Sequence, residues 1–253
     1  MKLNYKELGS GQPLLILHGL MGMLDNWQGP AKHYSKHFRT FIIDARNHGH
    51  SEHSDEFSYE SMTSDLLEFV EDHHLEAVHL MGHSMGGKTA MKFSQNYPEY
   101  VSKLIVADIS PRQYEVHHQM ILAGLNAIDF EKVKSRGEVD EILKGYIPDQ
   151  GTRQFLMKSM YWKSKNQLAL RFNLSAIMKN IEIIGDGIHD RICEVESLFI
   201  RGAKSNYVRE KDLAEIAIGF PNSTIATIEG AGHWLHAEKP KEYVEKTLSF
   251  LLS

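Results

Sequence analysis

The sequence contains a single cysteine, Cys193, among 253 residues. One cysteine cannot form a disulfide within the chain, and its sequence neighbours favour a packed thiol. Long apolar runs are also missing, because the uninterrupted aliphatic stretches fall far short of the ~20 residues that a membrane-spanning helix needs. The first residues, Met1–Glu7, lack the apolar region of a secretory signal. These absences predict a cytoplasmic protein without a membrane partner.

Positive charge is scarce as well, since 28 lysine and arginine residues face 33 aspartate and glutamate residues and the net charge is -5. Such a chain has no basic field with which to hold nucleic acid. Hydrophobic residues make up 42% and charged residues 24%, which is ordinary for a globular protein. The length suits one large α/β domain, with or without an insertion, or two small domains.

Short apolar runs alternate with amphipathic segments along most of the chain. The strand candidates lie at residues 14–17, 40–43, 77–81, 104–107, 197–200 and 224–228, and the helix candidates at 25–37, 60–74, 85–97, 208–219 and 239–252. Runs this apolar fit strands that are buried on both faces of a parallel sheet. Their alternation with helices of ~10–15 residues predicts a doubly wound α/β sheet.

The alternation stops within residues 111–194. This stretch is rich in helix-forming residues, shows no convincing strand pair, and is too long for a loop in a compact domain. We interpret it as a helical cap insertion over the carboxyl ends of the strands, with the core formed by residues 1–110 and 195–253. The alternative is that it adds further helices to the core.

The run Gly82-His83-Ser84-Met85-Gly86 has the pattern G-x-S-x-G between a strand candidate and a helix candidate. A serine on so sharp a strand-to-helix turn adopts a strained backbone, and the flanking glycines leave room for close packing. The turn would lift the Ser84 hydroxyl clear of the sheet. The context favours a nucleophile over an ordinary turn.

A serine hydroxyl becomes a strong nucleophile only when a base takes its proton. Among 15 histidines, His233 lies in a glycine-rich turn directly after the last strand candidate, where an open α/β sheet places its site. His236, three residues on, is the weaker alternative. The pairs His73-His74 and His117-His118 predict no metal site, because neighbouring side chains on a helix diverge by about 100° and no cysteine–carboxylate framework accompanies them.

The acid that orients the base should follow a strand after the nucleophile and precede the histidine. The turn at residues 201–206 contains no carboxylate, whereas Asp108 directly follows the strand candidate at 104–107. The remaining carboxylates are less suitably placed: Glu210 and Asp212 fall in a predicted helix, and Asp186 and Asp190 precede their strand. We therefore expect Asp108 to be the acid.

Acyl transfer also needs two hydrogen-bond donors for the developing oxyanion. The turn His18-Gly19-Leu20-Met21-Gly22 follows the first buried strand candidate and can present the Leu20 amide. The Met85 amide, directly after the nucleophile, supplies the second donor. His18 itself is interpreted as a residue that packs the turn.

In these motifs the chain resembles the α/β-hydrolase-fold serine hydrolases over essentially its whole length. The motifs that carry the resemblance are His18-Gly19, Asp44-Ala45-Arg46-Asn47-His48-Gly49, Gly82-His83-Ser84-Met85-Gly86-Gly87, Asp108-Ile109-Ser110-Pro111, Ser205-Asn206-Tyr207-Val208 and Gly232-His233-Trp234-Leu235-His236. They are most similar to the bacterial carboxylesterases of the ybfF type and their mitochondrial relatives among the abhydrolase-domain proteins. The resemblance implies a mostly parallel central sheet flanked by helices, with a helical cap insertion.

Ser205 stands where the family usually has its acid, after the seventh strand of the family pattern. This departure leaves Asp108 as the acid that the subgroup resemblance also implies, with Ser205 as an auxiliary residue. Asp44 and Arg46 are interpreted as structural residues that anchor a loop beside the site.

The expected function is a cofactor-free serine esterase that acts on small carboxylic esters, with thioesters left open. A carbon–carbon bond hydrolase or lactonase would use the same triad, and a non-catalytic ligand receptor on this scaffold is the alternative from another class. Met120, Met157, Met160, Trp162 and Phe172 of the insertion predict either an apolar acyl pocket or the packed interior of the cap. The oligomeric state does not follow from the sequence.

Overall fold

The protein is seen in a computed structural model whose described residues are 1–116, 118–189 and 191–253. His117 and Asp190, two of the side chains weighed above, lie outside the described residues. Nine strands are found within these ranges: β1 (Tyr5–Leu8), β2 (Pro13–Leu17), β3 (Arg39–Ile43), β4 (Val78–His83), β5 (Val101–Ala107), β6 (Met160–Ser164), β7 (Gln167–Leu170), β8 (Ser197–Gly202) and β9 (Ser223–Ile228).

The central sheet has seven strands in the order β1-β3-β2-β4-β5-β8-β9. β1 pairs antiparallel with β3, and the other neighbouring pairs are parallel. The six strands predicted from apolar runs are confirmed as β2, β3, β4, β5, β8 and β9. β1 was not predicted, because the sequence of this edge strand, Tyr-Lys-Glu-Leu, is largely exposed and does not form an apolar run.

Helices cover both faces of the sheet. They are α1 (Gln28–Tyr34), α2 (Tyr59–Asp72), α3 (Met85–Asn96), α4 (Gln119–Asn126), α5 (Arg136–Lys144), α6 (Gln150–Lys158), α7 (Leu174–Lys179), α8 (Ile181–Ile184), α9 (Leu213–Gly219), α10 (Leu235–Glu238) and α11 (Pro240–Leu252). Phe69 of α2 and Phe93 of α3 pack in the apolar cluster on one face, and Tyr34 of α1 and Tyr243 of α11 in the cluster on the other. Within the described ranges, no helix is long and apolar enough to cross a membrane.

The chain leaves the sheet after β5 and returns at β8, which pairs directly with β5. The intervening segment contains helices α4 to α8, as the composition predicts. The expectation that it holds no strand pair was wrong, because β6 and β7 form an antiparallel hairpin. Only Met160 and Leu168 of this hairpin are buried, and residues 162–166 are exposed, so it lacks the apolar run by which a strand is recognised.

Lys88 of α3 fastens both ends of this segment to the core. Its side chain is buried, and its ammonium group donates to the carbonyl oxygens of Arg112 at 2.9 Å, of Gly185 at 3.4 Å and of Asp186. The two ends are also joined to each other, since the Tyr114 amide donates to the Gly185 carbonyl at 2.7 Å. The helix that begins beside Ser84 therefore holds the segment directly.

Candidate active site

Ser84 occupies the turn between β4 and α3 with φ 52° and ψ -118°, a conformation that is strained for a residue with a side chain. Glycine is required on both sides. A Cβ at Gly82 would overlap the Gly86 carbonyl, and a Cβ at Gly86 would lie 2.6 Å from the carbonyl oxygens of Leu17 and His18. The Ser84 amide donates to the Ala107 carbonyl at 3.0 Å, and its side chain is half-buried. The turn thus presents the hydroxyl at the carboxyl ends of the central strands.

Asp108 follows β5 with a left-handed φ of 50°, and its side chain is completely buried. Its Oδ2 lies 2.8 Å from Nδ1 of His233 and also accepts a hydrogen bond from the Ser205 hydroxyl. Its Oδ1 accepts from the Gly202 amide at 3.0 Å. Burial raises the pKa of Asp108 to about 7, and the hydrogen bonds from Ser205 and Gly202 oppose that rise. The carboxylate can therefore hold the imidazole and stabilise a positive charge on it.

Two aromatic residues hold His233 in place. The Tyr207 ring stacks on the imidazole with centroids 3.8 Å apart, and Nε2 of His83 donates to the His233 backbone carbonyl at 2.8 Å. Burial holds the pKa of His83 well below its usual value, so this residue is a neutral donor. Neither contact was predicted, because His83 occupies a variable position of the G-x-S-x-G motif and Tyr207 reaches His233 only through the fold.

His236 has a different environment from His233. Its ring is buried and stacks on Trp27 at a centroid distance of 4.2 Å. Burial is also the main reason that its pKa is well below the usual value for histidine. His233 instead lines a cavity together with Ser84, which favours His233 over His236 as the base.

The Leu20 and Met85 residues, whose amides are the expected oxyanion donors, border one cavity together with Ser84. Met85 is the first residue of α3, where a backbone N–H has no acceptor within the helix. Leu20 lies in a turn closed by a hydrogen bond from the Gly22 amide to the Gly19 carbonyl at 3.0 Å. Leu20 follows β2 and Met85 begins α3, so two different elements bring these residues to the cavity at Ser84.

The side chains around this turn are engaged in structural contacts. Nε2 of His18 accepts from the Ala45 amide at 3.0 Å and its Nδ1 donates to the Gly19 carbonyl at 2.8 Å. Asp44 accepts from the Leu24 amide at 2.7 Å. Arg46 pairs with Asp65 through Nε at 2.6 Å. These contacts connect the loops beside Ser84 to one another and to α2.

Two cavities meet at Ser84. The wide cavity has a volume of about 230 Å³ and is lined by Gly19, Leu20, Met21, His83, Ser84, His118, Ile121, Thr152, Phe155, Leu156, Tyr207, His233 and Trp234. The narrow cavity has a volume of about 30 Å³ and is lined by Leu20, Tyr59, Ser84, Met85, Ile109, Tyr114, Glu115, Val116, His118, Ile181, Ile184, Gly185 and Tyr207. Residues of the segment 111–194 form part of both walls.

Of the two interpretations of the apolar side chains in this segment, the structure favours the packed interior of the cap for Met160 and Phe172 and the acyl pocket for none of the five. Met120 and Trp162 are 57% and 47% exposed, whereas Met160 and Phe172 are buried. None of the four, nor Met157, lines either cavity. The apolar residues that the helices of this segment do contribute are Ile121 of α4, Phe155 and Leu156 of α6, and Ile181 and Ile184 of α8.

The remaining candidates for metal or redox chemistry have structural environments. Cys193 is buried, and its pKa is raised, mainly by burial. His73 stacks on Phe69 with ring centroids 4.1 Å apart. Among the described residues, no group of three or more histidine, cysteine, aspartate or glutamate side chains is arranged to hold a metal ion.

Comparison with known proteins places the chain in a family. The family of the alpha/beta hydrolase fold matches residues 12–128. A Haemophilus influenzae protein of the esterase/lipase type is 41% identical over 239 residues, which cover 94% of this chain and 82% of the relative. The chain belongs to the alpha/beta hydrolase fold family.

Other members of the family extend the similarity over almost the whole chain. Esterase YbfF of Escherichia coli is 31% identical to this hydrolase, and the alignment covers 95% of each protein. The solved structure of an esterase from a marine microorganism is 44% identical, superimposes with a TM-score of 0.95, and covers 98% of this chain and 99% of that one. The protein is therefore an alpha/beta hydrolase enzyme, and its relatives support an esterase type of activity.

Proposed function

We propose that this hydrolase is a cofactor-free serine esterase that cleaves small carboxylic esters through an acyl-enzyme on Ser84. The observation that carries the proposal is the hydrogen bond of 2.8 Å between buried Asp108 and His233, with His233 lining the same cavity as Ser84. Thioesters are proposed as further substrates, because the same steps cleave a thioester bond.

In the first half of the proposed reaction, the Ser84 hydroxyl attacks the ester carbonyl while Nε2 of His233 takes its proton. The Leu20 and Met85 amides stabilise the tetrahedral oxyanion, and Asp108 stabilises the imidazolium. The intermediate collapses when His233 gives the proton to the departing alkoxide oxygen. The products of this half are the free alcohol and an acyl group esterified to Ser84.

In the second half, a water molecule attacks the acyl-enzyme and His233 takes a proton from that water. The second tetrahedral intermediate expels Ser84, which regains its proton from His233, and the carboxylic acid leaves. We also propose that residues 111–194 act as a cap, since Ile121, Phe155 and Ile184 of this segment wall the cavities above Ser84.

The nucleophile is tested with a fluorophosphonate probe and with p-nitrophenyl acetate. We expect the wild type to take up one probe molecule on the peptide that contains Ser84, and Ser84→Ala to take up none. Loss of the triad nucleophile should lower kcat by about 10⁶-fold. The matched control is Ser64→Ala, since Ser64 is an exposed residue of α2 whose hydroxyl donates to the Glu60 carbonyl at 3.0 Å.

Each assay has an outcome against the proposal. Mass spectrometry that places the probe on another residue would refute Ser84 as the nucleophile. Absence of both labelling and a burst of p-nitrophenol would favour a ligand receptor on this scaffold.

A further inference from the structure

We propose that the two cavities at Ser84 divide the substrate, with the acyl group in the narrow cavity and the alcohol in the wide one. The preferred substrate is then an ester of a short acyl group with a bulky, largely apolar alcohol. This inference rests on the proposed esterase function and adds the class of ester to it.

The position of His233 assigns the wide cavity to the alcohol. The departing oxygen must receive a proton from the base, so it has to lie within hydrogen-bond reach of the imidazole. His233 lines the wide cavity together with Ser84 and is not part of the narrow cavity's wall. An alcohol that leaves from Ser84 therefore begins beside His233 and extends into the wide cavity.

The narrow cavity receives the remaining substituent of the carbonyl carbon. Met85, whose amide would bind the oxyanion, lies in its wall beside Ile109. The hydroxyls of two tyrosines in the wall are already engaged, since Tyr59 donates to the Ile184 carbonyl and Tyr114 to the Tyr207 carbonyl. Glu115 and His118 are the ionisable side chains of this wall apart from its tyrosines, and aliphatic side chains, among them Ile181 and Ile184, contribute much of the rest.

We infer the sizes of the two groups from the difference between the two cavity volumes. A water molecule needs about 10–15 Å³ of cavity volume. The narrow cavity of about 30 Å³ therefore has room for roughly two or three groups of the size of a water molecule or a methylene. The wide cavity of about 230 Å³ has room for about fifteen or more groups of that size. The Phe155 and Trp234 rings in its wall contact each other at a centroid distance of 5.4 Å, which favours an apolar or aromatic alcohol.

Two residues in the wall of the narrow cavity, Ile109 and Gly185, are held by close contacts and cannot retreat readily. Ile109 is pressed against α3, because a Cβ at Gly87 would lie 2.6 Å from Ile109 Cγ2. Gly185 is held by the Tyr114 amide at 2.7 Å and by Lys88. The limit on the acyl group is therefore set by packed residues.

Two series of esters test the division on the full-length enzyme. In the first, the alcohol is fixed and the acyl chain grows from acetyl to octanoyl. In the second, the acyl group is acetyl and the alcohol grows from methyl through butyl and benzyl to naphthylmethyl. We expect kcat/KM to fall at least tenfold between butyryl and octanoyl, and to rise by about tenfold for each two carbons of alcohol that are buried.

Variants of each wall should change one series without changing the other. Ile184→Ala should make octanoyl esters at least fivefold better relative to acetyl esters, and Ile181→Ala provides a second variant of the same wall. Phe155→Ala should flatten the alcohol series. The matched control is Ile218→Ala, because Ile218 is 72% exposed on α9 and lies in neither wall; both series should match the wild type.

The outcomes separate this inference from the proposed function. Fluorophosphonate labelling of Ser84 together with a rising acyl series and a flat alcohol series would overturn the division and leave the esterase mechanism standing. A response of the alcohol series to Ile184→Ala would also overturn it. Absence of labelling and of hydrolysis with every ester would overturn both.

Discussion

Asp108 meets two opposing requirements at the scale of a single residue. Complete burial brings it against His233 but raises its pKa to about 7, whereas the proposed mechanism needs the ionised carboxylate. The Ser205 hydroxyl and the Gly202 amide both donate to it, and these hydrogen bonds favour the charged form. Ser205 thus keeps Asp108 ionised at a lower pH than burial alone would allow.

Ser205→Ala should therefore shift the pH dependence of activity. From the pKa of about 7 for Asp108, we expect kcat/KM of the wild type to fall as the pH drops below about 7. Removing a donor to the carboxylate raises the pKa of Asp108 further, so the fall should begin at a higher pH. At neutral pH we expect a loss of about tenfold. The measurement is kcat/KM from pH 5 to 9.

Asp108→Asn is the reference variant for this experiment. An amide favours the wrong tautomer of His233 and stabilises no cation, so turnover should drop by about 10³–10⁴-fold at every pH. Parallel profiles for the wild type and Ser205→Ala would show that the Ser205 hydrogen bond does not tune Asp108.

The sequence predicts those candidate site residues that lie in a recognisable local motif, such as a glycine-rich turn at the end of a strand. Ser84 and His233 are marked by glycine-rich turns at strand ends, and Asp108 follows because no carboxylate stands near Ser205. Tyr207, which stacks on His233, has no local signal, because that contact is made only when the turns after β8 and β9 are brought together. The walls of the two cavities are unpredictable for the same reason.

At the scale of elements, the turn between β4 and α3 brings backbone groups so close that only glycine fits at its ends. Gly86→Ala should destabilise the fold, because the new Cβ would lie 2.6 Å from the carbonyl oxygens of Leu17 and His18. We expect a loss of about 1–3 kcal/mol in the free energy of unfolding, measured by urea denaturation. Activity should fall as well, since Gly86 lies two residues from Ser84.

Gly219→Ala is the matched control, because a Cβ there meets nothing within 4 Å. Its free energy of unfolding should stay within about 1 kcal/mol of the wild type. Equal stability of Gly86→Ala and Gly219→Ala would mean that the turn has room for a side chain.

Elements could be predicted from the sequence where burial is complete. β4 is buried along its whole length and forms an apolar run, and α3 follows the turn at Ser84 directly. β1 and the β6–β7 hairpin escaped prediction because they are exposed for much of their length, so pairing with neighbouring strands, and not hydrophobic patterning, makes them strands.

At the scale of the whole molecule, the segment 111–194, which we propose to be a cap, is attached to the core through α3. Lys88 connects the two, since its ammonium group reaches the carbonyl oxygens of Arg112, Gly185 and Asp186 and lies 4.9 Å from the centroid of the Tyr114 ring. Tyr114 and Gly185 line the narrow cavity. We therefore expect this one side chain of α3 to affect both the stability of the fold and the shape of the proposed acyl site.

Lys88→Met should remove this connection between α3 and the segment 111–194. Methionine keeps the length and the apolar stem of the side chain but removes the donor, so three carbonyl groups lose a hydrogen bond in a largely buried region. An unsatisfied buried acceptor costs about 1–3 kcal/mol, and we expect the free energy of unfolding to fall by about 2 kcal/mol. With its walls loosened, the narrow cavity should also discriminate less between acetyl and octanoyl esters. The measurements are urea denaturation and kcat/KM along the acyl series.

Lys246→Met is the control that separates the loss of the Lys88 hydrogen bonds from the mere loss of a positive charge. Lys246 lies on α11, is partly exposed and pairs with Glu242 at 3.7 Å one helical turn away, so its loss should change stability by no more than about 0.5 kcal/mol. If Lys88→Met behaved like Lys246→Met in both measurements, the attachment of the segment would have to lie in its apolar contacts. A loss of stability with an unchanged acyl profile would show that Lys88 supports the fold without shaping the narrow cavity.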